Sequence, residues 1–136
     1  MISDQRSVIS WGRQTMSELD GIWMCESATV NGRKLDDAIA RSLKLTLDGE
    51  QYKTERGDQV VFDSSYSIDT SVNPPHINML GIGELAGKIG KGIYQIAQDR
   101  LTMCYTMPEK DRPTAFSSEE GSEAYLMVWR RAQQTM

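Results

Sequence analysis

The sequence predicts an all-β protein, an eight-stranded antiparallel up-and-down barrel with one short helix after the first strand. Three observations carry this expectation. Apolar and polar residues alternate with period two through most of the chain from Ile22 to Arg131. Turn-forming dipeptides join the alternating segments in chain order, at the spacing of roughly 8–12 residues typical of sandwiches and barrels. Only one stretch has a clear helical period. Closing eight such strands removes both exposed edges, which favours a barrel over an open sheet.

The first strand runs from Ile22 to Val30, and Asn31-Gly32 is a strong turn signal after it. Lys34 to Ser42 places Leu35, Ala38 and Ile39 at spacings of three and four, which predicts a helix of about two turns. The second strand, Leu43–Leu47, alternates leucine with Lys44 and Thr46. Asp48-Gly49 turns the chain into Gln51–Arg56, and Gly57-Asp58 turns it again into Gln59–Asp69. Pro74-Pro75 interrupts, because proline cannot donate to a central ladder. His76–Ile82, Ile93–Ala97, Leu101–Thr106 and Ala124–Arg131 complete the set. Pro108–Gly121 reads as a long polar loop. The glycines from Gly81 to Gly92 are not a phosphate loop, since the Gly-Lys-Ser/Thr ending is missing.

The chain has 136 residues, enough for one domain with its own core. We divide it into a weakly helical or flexible lead-in over 1–17, a barrel domain over 18–131 and a tail over 132–136. A net charge of −4 disfavours a generic nucleic-acid binder. Two cysteines and one histidine argue against a disulfide framework or a zinc site, and Cys25 and Cys104 read as buried free thiols. Asp4, Arg6, Arg13 and Glu18 interrupt the N-terminus, so it is not a secretory leader. No apolar run reaches the length of about 18 residues that a membrane helix needs. The expected location is the cytoplasm for the chain as written, or outside it if a leader has been removed.

Apolar content assigns the inward faces. These are Leu43, Leu45 and Leu47; Tyr52 and Thr54; Phe62, Ser64, Tyr66 and Ile68; Tyr94 and Ile96; Leu101, Met103 and Tyr105; and, on the last strand, Leu126, Val128 and Arg130. Four tyrosines thus point inward. A buried phenol needs a partner for its hydroxyl, so this interior suits either a small amphipathic ligand or a packed barrel whose hydroxyls bond one another. Tyr125, Met127 and Trp129 are expected to form an apolar outer stripe, open to a second subunit or to the N-terminal segment around Val8, Ile9 and Trp11.

Gly21-Ile22-Trp23 at the start of the first strand, with Arg130 near the end of the last, resembles the Gly-x-Trp and distal arginine signature of lipocalins. There the tryptophan closes the barrel floor and the arginine packs across its face. The chain also resembles a planctomycete-type lipocalin-like domain family of unknown function. The matching features are Gly21-Ile22-Trp23, Asn31-Gly32, the helix Leu35–Ala40, Leu43–Gly49 followed by Tyr52, Gly92-Ile93-Tyr94 and Leu101–Tyr105. They continue through Arg112-Pro113-Thr114-Ala115-Phe116 and Gly121-Ser122 to Leu126–Arg131. Pro108-Glu109-Lys110-Asp111 departs from the family, which has glycine or proline-glycine there. The resemblance implies a lipocalin-like fold and assigns no activity.

His76, extended after two prolines, reads as a strand-end residue rather than a haem ligand, and no cofactor or metal is expected. Asp36-Asp37 and the glutamates of the long loop read as solvated charge. Phe116 is expected to plug one barrel end. The favoured reading of its loop is a lid locked onto the barrel, with Arg112 paired to a carboxylate or capping strand carbonyls; the functional version is a lid over a ligand mouth that carries Arg112 as an anion contact. The favoured function is a non-catalytic barrel that binds a small apolar or amphipathic molecule through Tyr52, Tyr66, Tyr94, Met103, Tyr105 and Arg112. A packed interaction domain without ligand, able to form a homodimer, is the alternative, and an enzyme built in the cavity is third.

Overall fold

The structure, a computed structural model, describes residues 18–80, 89–106 and 110–132. In chain order the elements are β1 (Gly21–Val30), β2 (Arg33–Lys34), α1 (Asp37–Ala40), β3 (Leu43–Asp48), β4 (Gln51–Arg56), β5 (Gln59–Asp69), β6 (His76–Leu80), β7 (Ile89–Ala97), β8 (Arg100–Thr106) and β9 (Tyr125–Arg131). The lead-in 1–17 and residues 133–136 of the tail lie outside the described residues.

Every long strand pairs antiparallel with its neighbours in sequence, and β9 pairs with β1 to close the ring. The expected eight-stranded barrel is therefore present, with β2 as a two-residue addition folded back on β1. Closure is in register from Tyr125 opposite Val30 to Arg131 opposite Trp23, apart from one bulge in β1 beside Val128 and Trp129. That bulge lets the strand curve where the ring shuts.

The turns are those the dipeptides specify. Asn31 and Gly32 have φ of 51° and 83°, and Gly49 and Gly57 have φ of 63° and 60°, the left-handed conformation that asparagine and glycine tolerate. The helix is shorter than expected. Arg33-Lys34 extends back along β1, and the Leu35 amide donates to Ala28 O, which leaves α1 one turn. Conversely, β7 begins at Ile89, four residues before the segment that alternation marks. Gly90 and Gly92 hide it from a hydropathy reading. A Cβ at Gly92 would lie 2.7 Å from Tyr105 Cβ, so glycine is what lets β7 pass the large inward side chain.

The core lies inside the barrel. Trp23, Leu45, Leu47, Tyr52, Tyr66, Ile77, Met79, Tyr94, Leu101, Met103, Met127 and Trp129 form one buried cluster, joined by Leu19 from the turn before β1. Inward faces are as expected in β3, β4 and β8. Ile68 keeps the inward parity of β5 but stands 36% exposed, because β5 runs on past the ring. The face of β9 is the reverse of the expected one. Met127 and Trp129 are buried with Tyr125 packed beside them, and Arg130 is exposed. All five residues from Tyr125 to Trp129 are apolar or aromatic, so apolar content could not choose between faces. The long loop decided it by covering the other side, Leu126, from outside.

Candidate functional site

The inward wall gathers the expected tyrosines. Tyr52, Tyr66 and Tyr94 are almost wholly buried, Met103 is fully so, and Tyr105 packs against the same cluster. Tyr52 is the hub. Its ring meets Phe62 and Tyr66 edge-to-face at centroid distances of 5.8 and 6.2 Å, the geometry favoured by aromatic quadrupoles. Thr54 and Tyr105 lie near its hydroxyl and partly offset the burial that raises its pKa. Tyr105 in turn stacks on Tyr125, with centroids 5.1 Å apart and planes 3° from parallel.

Burial raises the pKa of each interior phenol. Tyr66 is pushed up to about 12, and Tyr52, Tyr94 and Tyr105 are also raised, each chiefly by loss of water around the charged form. Cys25, inward and donating to Ser27 O, is held at about 11 for the same reason. Near neutral pH the interior is therefore a wall of uncharged hydroxyl and thiol groups.

Two polar atoms on this wall have no hydrogen-bond partner among the described residues. They are Ser64 Oγ and Trp129 Nε1, on residues 3% and 1% exposed. Buried polar groups are otherwise almost always paired, since an unpaired one costs roughly 1–3 kcal/mol. Alternation places Ser64 inward without giving it a role, and places Trp129 outside. Once the β9 face is corrected, both belong to the interior.

One end of the barrel is sealed. Trp23 is fully buried, and its indole N–H donates to Leu19 O at 2.9 Å. The arginine over its ring is Arg131, 4.2 Å from the centroid, and not the expected Arg130. Arg131 also donates to Asp20 O and Glu18 O, fixing the turn before β1 across the barrel end. Its inward parity follows from Trp129 two positions earlier. Arg130 points out and, with Arg100, pairs with Glu26, lowering the pKa of that carboxyl. Gly21 stands beside this seal, where a Cβ would come within 2.9 Å of the Arg131 guanidinium.

Arg112 is not part of the interior: the loop takes the expected structural role, locked onto the barrel with Arg112 capping strand carbonyls, and not that of a lid over a ligand mouth. The loop straps the outer wall. Arg112 donates to Gly92 O at 2.7 Å, to Ile77 O at 3.2 Å and to Asn78 Oδ1 at 2.7 Å. Asn78 alternates with the buried Ile77 and Met79, so it faces outward. Phe116 does not plug the barrel. It packs with Ile93, Cys104, Ala124 and Leu126 in a second cluster outside the ring. Cys104 donates to Ser117 O within it, and both cysteines are free thiols. Asn31 Oδ1 accepts from the amides of Gly121 and Glu123, which fastens the far end of the strap to the first turn.

The outer stripe expected at Tyr125, Met127 and Trp129 does not exist, because these residues face inward, and a dimer contact built on it loses its basis. His76 pairs with Asp69 on the outward face of β6, away from the interior. Among the described residues no group of three or more histidines, cysteines or carboxylates is placed to hold a metal ion. No helix among them is long and apolar enough to cross a membrane. Comparison of the chain with protein-family models, with curated proteins and with solved structures gives no match.

Proposed function

We propose that the barrel is a non-catalytic, lipocalin-like binding module that holds a small apolar or amphipathic molecule among Tyr52, Tyr66, Tyr94, Met103 and Tyr105. The observation that carries this reading is the unmet hydrogen-bonding capacity of the wall, at Ser64 Oγ and Trp129 Nε1. Leucine or valine at Ser64 and phenylalanine at Trp129 would build a dry core without that cost. A wall that keeps such groups is suited to a guest that pairs with them. The alternative of a packed structural barrel draws on the size of the buried side chains, with Trp23 and Trp129 both filling space inside.

Native mass spectrometry of freshly purified protein separates the two. The binding reading expects a non-covalent mass on each chain that disappears on denaturation. It also expects Tyr94→Phe to change affinity for that molecule more than it changes the denaturation midpoint. A bare chain that shows no interior chemical-shift change with small aromatic or aliphatic probes overturns it.

A further inference from the structure

Resting on the binding reading above, we propose that the molecule held in the barrel is a neutral hydrogen-bond acceptor, a compact carbonyl compound rather than a carboxylate. The inference comes from the charges and donors that line the wall.

Among the described residues, inward positions carry a charge only at the two ends. Arg131 lies at the sealed end, already over Trp23 and bonded to Asp20 O and Glu18 O. Arg56, opposite Leu43, lies at the other rim and is exposed. Between them, no described inward residue of β1 or of β3 to β9 is ionisable apart from tyrosines and Cys25. The Glu26 carboxylate points out to Arg100 and Arg130. An anion drawn into this wall would lose its water and meet no counter-charge, a large penalty for a carboxylate.

What the wall does offer is donors. An indole N–H can only donate, so a partner for Trp129 must accept. The Ser64 hydroxyl can donate as well. The raised phenol pKa values keep the tyrosines protonated and able to donate beside them.

The placement of the two unpaired groups fits one guest. From β9 the ring reaches β5 through β8, β7 and β6 on one side, and through β1, β3 and β4 on the other. Ser64 and Trp129 therefore stand on opposite walls. Ser64 lies opposite Tyr52, and Trp129 lies between Cys25 and Leu101. Both are in the half of the barrel that leads to the Trp23 seal. A flat carbonyl compound in that half would meet aromatic faces on its ring and one of these donors on its oxygen. The bulk of Trp23, Tyr52, Tyr66 and Met103 restricts it to a compact size.

Three probes of matched size test this with the full chain: acetophenone, benzoate and ethylbenzene, titrated while the Trp129 indole N–H resonance is followed by NMR. Acetophenone is expected to bind about tenfold more tightly than either of the others, as one recovered buried hydrogen bond implies, and to shift the Trp129 indole resonance downfield. Trp129→Phe and Ser64→Ala, each checked for an intact fold by circular dichroism and followed by the interior Met103 methyl resonance, are compared for acetophenone against ethylbenzene within the same variant; the variant that removes the donor the oxygen uses should erase the tenfold preference, and a preference kept in both overturns the inference. Equal binding of acetophenone and ethylbenzene overturns the acceptor inference while the binding reading stands. Tightest binding by benzoate overturns the charge argument in the same way. No interior response to any of the three overturns the inference and the binding reading together.

Discussion

Two tryptophans sit inside the same barrel under opposite conditions. Trp23, at the sealed end, is fully buried, and its ring has Arg131 above it and its N–H a bond to Leu19 O. Trp129, further along the interior, is as deeply buried and has no partner for its N–H. The same side chain thus closes a structure in one place and leaves bonding capacity open in the other. One core therefore holds a paired indole and an unpaired one in different parts. The sealed end closes over Trp23, and the wall above it leaves Ser64 Oγ and Trp129 Nε1 unpaired among the described residues.

The largest expected effect starts in the interior, not at the seal. Raising the pH must eventually ionise the buried phenols. Their folded-state pKa values lie above the ordinary value of 10 of the unfolded chain, with Tyr66 at about 12. Stability that comes from keeping them neutral is whole below pH 10 and is lost as pH climbs through the raised values. Loss of the fold is expected across roughly pH 10–12, with phenolate absorbance and loss of β-sheet circular dichroism rising together. Phenolates from Tyr52, Tyr66, Tyr94 and Tyr105 that form at ordinary pH in a still-folded protein would contradict the interior placement.

The next effect breaks the seal. Trp23→Ala removes a fully buried ring, its bond to Leu19 O and its contact with Arg131. A loss of about 3–5 kcal/mol is expected, as for other large-to-small core changes. The check is the denaturant midpoint, and a midpoint near that of the parent protein would remove Trp23 from its role. Smaller again is Arg112→Ala. It deletes three hydrogen bonds that hold the strap, for a loss of about 1.5–3 kcal/mol. Its diagnostic sign is chemical. Cys104, covered by Phe116, should become reactive to an aromatic disulfide reagent, while Cys25 inside the barrel stays protected. Equal protection of both thiols in this variant would mean that the strap holds without Arg112.

The sequence shows the barrel more plainly than the site. Turn dipeptides and period-two segments set strand order and most faces, because each is a local property of a few residues. The errors occur where a long-range contact decides. Tyr125–Trp129 is apolar on both faces, and only the strap lying over Leu126 tells which one is outside. That single inversion moved Trp129 out of the interior and exchanged Arg131 for Arg130 at the seal. For Arg112 the sequence leaves a carbonyl cap and a ligand contact both open, because a loop arginine is free to reach anywhere, and the contact with the carbonyls of β6 and β7 decides for the cap. The four inward tyrosines were legible from alternation alone. The unpaired state of Ser64 was not, since hydrogen-bond satisfaction is a property of the closed ring and not of any strand.

The smallest effect isolates the difference between the two tryptophans. Trp23→Phe and Trp129→Phe delete the same atoms from equally buried rings, so their packing losses nearly cancel in the comparison. What remains is polar. Trp23→Phe also removes the bond to Leu19 O and weakens the contact with Arg131, two terms that together should cost about 1–3 kcal/mol. Trp129→Phe removes an N–H that is buried without a partner, so the desolvation it relieves offsets part of the lost packing. The Trp129 variant is therefore expected to be the more stable of the two, by denaturant midpoints measured side by side on ligand-free protein. Equal midpoints would mean that the Trp129 indole is as well bonded as that of Trp23. The contrast between a closed end and an unsatisfied wall would then have no energetic content.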